Sequence, residues 1–218
     1  MVSSTVYGIE EMLEQIYSLL NGYGYEVWMS YKGTVQIFPN RTAFEDCLLA
    51  VEHCDLFLGI ITPHYGSGVV KGGLSITHQE MLKAIELKKP RWFITHAYIP
   101  FARALISKLG FETTEQREKM LRKLGIDSPK KLSYFKRRKE RVIDDLRVLD
   151  MYDAATRRDL KVYQDRKGNW VQEFVREADA KLFVTAQFFR YKEVAAFLDD
   201  QFSKPRVVRG LLTKERKS

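Results

Sequence analysis

The sequence predicts an α/β fold, a parallel sheet flanked by helices, followed by a mainly helical extension that contains a short β-hairpin. Three observations carry this expectation. Apolar residues recur at helical spacing in three stretches of the first half. Short apolar runs alternate with those stretches. One run, Leu56-Phe57-Leu58-Gly59-Ile60-Ile61, is continuous between Asp55 and Pro63, the pattern of a strand covered on both faces and so placed at the centre of a sheet.

The elements follow in order. Ile9, Met12, Leu13, Ile16, Tyr17 and Leu20 form an amphipathic helix that ends at the breakers Asn21-Gly22 and Gly24. Tyr25-Glu26-Val27-Trp28-Met29 reads as a strand, and Phe44, Cys47, Leu48 and Val51 mark a second helix. A third helix is expected over 77–87, and Arg91-Trp92-Phe93-Ile94-Thr95 follows Pro90 as another strand. Strands alternating with helices imply parallel βαβ units with right-handed crossovers. Val2-Ser3-Ser4-Thr5 leaves the first strand hardly any residues of its own, which is the expectation for a start clipped relative to the natural one.

Residues 1–98 hold 7 Lys/Arg against 10 Asp/Glu, a balance of −3, within a chain of 218 residues whose net charge is +8. Residues 99–218 therefore hold 29 against 18, a balance of +11. The expected division is an α/β domain over 1–98, a basic helical extension over 99–210 and a disordered tail over 211–218. Helices are expected over 115–124, about 129–149 and about 177–202, the last closed by Pro205. Val162-Tyr163-Gln164 and Trp170-Val171-Gln172-Glu173-Phe174 flank the turn signal Asp165-Arg166-Lys167-Gly168-Asn169, which suggests a hairpin.

A hydrophobic content of 45% suits a globular chain with one sizeable core. Cys47 and Cys54 match no zinc spacing and read as buried thiols in a reducing, cytoplasmic compartment. No apolar run approaches the roughly 20 residues of a membrane span. The run from Phe135 to Arg141 offers sequence-independent contacts to nucleic-acid phosphates, but more often such a run is a solvated helix face.

In parallel sheets ligands collect outside the carboxyl ends of the strands. Those ends carry Ser3, Ser4, Thr5 and Tyr7, then Ser30 and Tyr31, then Tyr65 within Tyr65-Gly66-Ser67-Gly68, and finally His96-Ala97-Tyr98. Ser3, Ser4 and Thr5 read either as N-caps of the first helix or as hydroxyls that cradle a phosphate or ribose. Tyr65 offers an aromatic face beside flexible backbone. Thr77-His78-Gln79-Glu80 fits a capping box, in which Glu80 only closes a helix start.

Val2-Ser3-Ser4-Thr5-Val6-Tyr7-Gly8, the 25–30 segment, Phe44-Glu45-Asp46-Cys47-Leu48, Cys54-Asp55-Leu56-Phe57-Leu58, Tyr65-Gly66-Ser67-Gly68 and Ser75-Ile76-Thr77-His78-Gln79-Glu80 resemble, in order and spacing, the domain-of-unknown-function family 4062. That family looks like a remote relative of Toll/interleukin-1 receptor (TIR) domains and of nucleoside 2-deoxyribosyltransferases. The resemblance implies a flavodoxin-like, TIR-like sheet. It also implies a catalytic role for Glu80 in cleaving the N-glycosidic bond of NAD or a related nucleotide, with the carboxylate stabilising or trapping the ribosyl cation. That role needs an ionised Glu80, and the first turn of its helix is expected to keep the pKa low.

Ser3, Ser4, Thr5, Tyr7, Ser30, Tyr31, Tyr65, Ser75 and His78 would contact the ligand; neither a metal nor a resident cofactor is implied. Ile76-Thr77-His78-Gln79 stands where enzymatic TIR domains commonly place a Trp-Cys pair. The resemblance further implies self-association and either a separate sensor protein or a small molecule bound by the chain itself. The alternative reading is a non-catalytic module that binds a nucleotide or a protein partner.

Overall fold

The computed structural model describes residues 1–66, 73–123 and 142–190, together with 193, 195 and 196. Within them the chain runs β1 (Val2–Ser4), α1 (Glu10–Gly22), α2 (Ala43–His53), β2 (Phe57–Ile61), α3 (Ile76–Glu86), β3 (Arg91–His96), α4 (Tyr98–Lys108), α5 (Thr114–Lys123), α6 (Arg147–Ala155), β4 (Val171–Phe174) and α7 (Glu177–Phe188). The four strands form one sheet in the order β1-β2-β3-β4 with every pair parallel.

Alternation along β2 sorts the core into two layers. Leu58 and Ile60 face α1 and α7, where Met12, Leu13, Ile16, Ala180, Val184 and Phe188 close over them. Phe57 and Ile61 face the opposite layer, built from Val51 of α2, Met81 and Ala84 of α3, Ile99 of α4 and Val148, Leu149 and Met151 of α6. All five residues of β2 are buried, as its continuous apolar run requires. Gly59 lies on the second face. A Cβ there would stand 2.6 Å from two ring carbons of Phe93, so the glycine lets the neighbouring strand's ring lie across it.

Four expected elements differ. Residues 25–29 are no strand: β1 is three residues long and gives this segment a single backbone bond, from Val2 N to Trp28 O at 2.9 Å, too little for a ladder. Val27 and Met29 are nonetheless buried against α1. No hairpin forms around Gly168. Val162 and Tyr163 are exposed and Tyr163–Asp165 is a 3-10 turn, while β4 takes the open edge of β3 in parallel register, Phe93 opposite Val171 through His96 opposite Phe174. Pairing with β3 satisfies a long sheet edge that a hairpin would leave open.

The helix expected over 129–149 does not continue through 142–146; α6 starts at Arg147, and 129–141 lies outside the described residues. The last helix is interrupted by a bend at Phe189, and residues 193, 195 and 196 beyond it are again helical. Its remainder, the Phe135–Arg141 run and the 211–218 tail lie mostly or wholly outside the described residues. Helix α4 had no counterpart in the sequence reading because it opens on Tyr98-Ile99-Pro100; proline in the first turn removes only an N–H that has no helical partner.

The segment after residue 98 thus supplies β4 and α7, and within it α6 is tied to α4 and α5 by buried charge. Arg117 of α5 donates to Asp150 at 2.5 Å and to Asp153 at 3.0 Å, and Arg103 of α4 donates to Asp153 at 2.7 Å. Gly59→Ala is expected to destabilise the fold by about 1–3 kcal/mol through overpacking against Phe93, read as a lower urea midpoint; an unchanged midpoint contradicts the close approach of β2 and β3.

Candidate functional site

Helix α3 begins at the carboxyl edge of the sheet with Ser75 as its N-cap, the Oγ accepting from His78 N–H at 3.3 Å. The capping box read from Thr77 and Glu80 is therefore not formed. Glu80 lies more than a turn further in, 3% exposed, and its carboxylate accepts the Ser3 hydroxyl of β1. The Cys47 thiol of α2 is its second partner. Ser3 stands opposite Gly59 in the β1–β2 register.

Burial dominates the electrostatics and pushes the Glu80 pKa up to about 7, with the Ser3 and Cys47 hydrogen bonds pulling the other way. The helix start does not hold it low, contrary to expectation: the group sits below the first turn and away from water. Burial, with Glu80 nearby, also lifts Cys47 to about 12, so the thiol is a donor and not a nucleophile.

A second buried cluster lies beside the first. The Tyr65 hydroxyl is 2.8 Å from His78 Nδ1 and accepts from Ser75 N–H at 3.3 Å. Burial lowers His78 to about 4, so its ring is neutral and its tautomer sets which of Nδ1 and the Tyr65 hydroxyl donates. The aromatic face of Tyr65, expected to be offered to a ligand, carries the Arg147 guanidinium instead, 4.3 Å from the ring centroid. Arg147 is held by Asp145 and donates to Gly73 O at 2.8 Å. Asp144 accepts from Tyr65 N–H at 2.8 Å and lies 3.4 Å from His64 Nδ1.

Of the residues nominated from sequence, Ser3 and Glu80 form one buried group and Tyr65, Ser75 and His78 another. Thr5 is buried too, but it bonds Thr62 and donates to His64 O at 3.0 Å, tying the end of β1 to the loop after β2. Close approach continues at Gly66, whose φ is +92° and whose Cβ would stand 2.6 Å from Thr5 Cγ2. Ser4 donates to Thr5 O at 2.8 Å. None of the three caps α1, whose N-cap is Ile9 without a side-chain bond. Tyr7, Ser30 and Tyr31 are exposed and do not join either cluster. Lys32, beside them, bonds Glu14 at 2.7 Å and lies over Tyr17, both on α1.

Asp144, Asp145 and Arg147 escaped sequence reading, since nothing local marks a residue that packs on Tyr65 about 80 positions away. His96, at the end of β3, is tucked between Tyr98 and Phe174, and Tyr98 N–H donates to its Nδ1 at 3.2 Å.

The model of one family, Domain of unknown function (DUF4062), matches residues 1–144. The chain belongs to this family. No curated protein and no solved structure gives a significant match. The matched stretch of the DUF4062 chain contains β1, α1, α2, β2, α3, β3, α4 and α5, hence Ser3, Cys47 and Glu80 and the Tyr65–His78 pair; Arg147 and β4 lie beyond it.

Among the described residues of the DUF4062 chain, no group of three or more His, Cys, Asp or Glu side chains is placed to hold a metal, and no helix is long and apolar enough to cross a membrane. Two cavities, of about 600 and about 510 Å³, lie elsewhere: one beside Trp92, Thr185 and Phe189, the other beside Glu14, Leu19 and Lys181.

The buried carboxyl makes a pH prediction. In the folded chain Glu80 keeps its proton up to about pH 7, whereas unfolded it loses it near 4.5. Its contribution is therefore fully present below 4.5 and lost as the pH rises through 7. His78 has the opposite sign: neutral in the fold down to about 4, it contributes fully above 6.5 and the contribution is lost as the pH falls through 4. Glu80→Gln removes only the first effect. Relative to the native chain, the variant is expected to gain roughly 3 kcal/mol between pH 4.5 and 8, measured by urea unfolding at each pH; parallel profiles contradict the burial of Glu80.

Proposed function

We propose that this chain is a non-catalytic, TIR-like interaction module, acting as a signalling or adaptor piece with other protein chains, including copies of itself. One observation carries the reading. The glutamate that an N-glycoside cleaving enzyme would present to its substrate is 3% exposed, and its hydrogen bonds go to Ser3 and Cys47. A carboxylate that meets a ribosyl cation must reach the reacting carbon, and one that joins three elements of the core has no free face to do so.

The neighbouring groups fit the same role. Tyr65, Ser75 and His78 satisfy one another, and the Tyr65 ring is covered by Arg147. Outward-facing side chains point to protein contacts, since several large apolar residues lie exposed on α4 and α7. Two free, buried cysteines suit a reducing compartment and hence a cytoplasmic location.

A second reading, cleavage of the N-glycosidic bond of NAD or a related nucleotide, is favoured by one feature: a carboxyl group with a pKa of about 7 next to a hydroxyl is matched to proton transfer at neutral pH. Nicotinamide release from NAD at high protein concentration separates the two. The module reading expects no release from the native chain or from Glu80→Gln. Release by the native chain that is lost in a folded Glu80→Gln variant overturns it and establishes a glycohydrolase.

A further inference from the structure

Helix α4 carries an apolar stripe that the other described residues leave exposed. Tyr98, Phe101, Leu105 and Leu109, the last just past the helix end, are 49%, 69%, 49% and 61% exposed. At 3.6 residues per turn they fall within about 80° of arc along roughly 17 Å of helix. The opposite side is committed: Ile99 is buried against the sheet, and Arg103 turns inward to Asp153. Four large apolar side chains in one row cost solubility unless something covers them.

We infer that this stripe is the contact face of a symmetric dimer, in which α4 of one copy packs antiparallel on α4 of a second copy. The spacing is what names the occupant. The row 98, 101, 105, 109 reads nearly the same in both directions about a point between Arg103 and Ala104. A two-fold axis there sets Tyr98 against Leu109 of the second copy and Phe101 against its Leu105, which is the self-complementarity that an isologous interface needs.

Charge favours the same arrangement. Lys108 is the exposed cation of α4. Antiparallel packing separates the two copies of it by roughly 14 Å along the axis, beyond a Debye length at physiological salt, whereas parallel packing sets them side by side. Antiparallel helix dipoles also attract.

The area sets the strength. If each side chain gives up on the order of 100 Å², the two copies together bury roughly 800 Å², below the roughly 1,200 Å² of the smallest standard interfaces. The dimer is therefore weak and depends on concentration or on tethering. This inference rests on the interaction-module reading and names a partner and a surface for it.

Sedimentation of the full chain from micromolar to near-millimolar concentration tests it. A monomer–dimer equilibrium is expected, lost in Leu105→Glu and in Phe101→Glu while circular dichroism stays native. A monomer throughout, or a dimer that survives both substitutions, overturns the proposal.

Register is read separately with a short bis-maleimide. Tyr98→Cys mixed with Leu109→Cys is expected to cross-link between the two variants and not within either; the buried Cys47 and Cys54 of the native chain give the background. Links within each variant instead mean parallel packing and overturn the two-fold arrangement. The nicotinamide assay is independent: Glu80-dependent release with the dimer intact overturns the module reading and leaves the interface standing, while a monomer without release does the reverse.

Discussion

The Glu80 carboxyl group, buried between the Ser3 hydroxyl of β1 and the Cys47 thiol of α2, is the constraint to which the rest of this fold is adjusted. A carboxylate taken out of water without partners would cost several kcal/mol. Here the cost is met partly by two hydrogen bonds and partly by keeping the proton, which is why the pKa lies at about 7. The geometry follows from that compromise. Ser3 has to face α3, and α2 has to bring a small donor. Three elements separated by long stretches of sequence are thereby fixed at one point.

The neighbouring Tyr65–His78 pair repeats the arrangement one layer nearer the carboxyl edge. His78 stays neutral because it is buried, and the tyrosine hydroxyl satisfies both the imidazole and the Ser75 amide. Arg147 then seals the ring from outside, brought there by the chain that returns after α5. The edge of the sheet where parallel α/β proteins gather their ligands is, along this stretch, occupied by the protein's own side chains. That occupation is what supports the proposal of an interaction module rather than chemistry on a small molecule, with the exposed face of α4 as its proposed contact surface.

Much of the fold was legible because its signals are local. The continuous run at β2 and the apolar periodicity of α1, α2 and α3 are burial patterns written within ten or so residues, and each element begins within a residue or two of where those patterns put it. What misled was also local. Residues 25–29 alternate like a strand and are buried like one, but a strand needs a partner of comparable length, and β1 offers three residues. The Val162–Phe174 stretch has a good turn signal, yet an open edge on β3 outcompetes a hairpin.

At the site, the sequence put Ser3, Tyr65, Ser75 and His78 beside Glu80, but also Ser4, Thr5 and the exposed Tyr7, Ser30 and Tyr31, and it gave no orientation, because burial is a property of the assembled layers. Asp144, Asp145 and Arg147 carried no signal at all, their role depending on a return of the chain across many residues.

Carbon-13 NMR of the Glu80 side-chain carboxyl, followed through a pH titration of the folded chain, tests the central claim most directly. Burial against Ser3 and Cys47 predicts a midpoint close to 7. A midpoint near 4.5, the ordinary value for a glutamate in water, would mean that Glu80 faces solvent and would contradict the account.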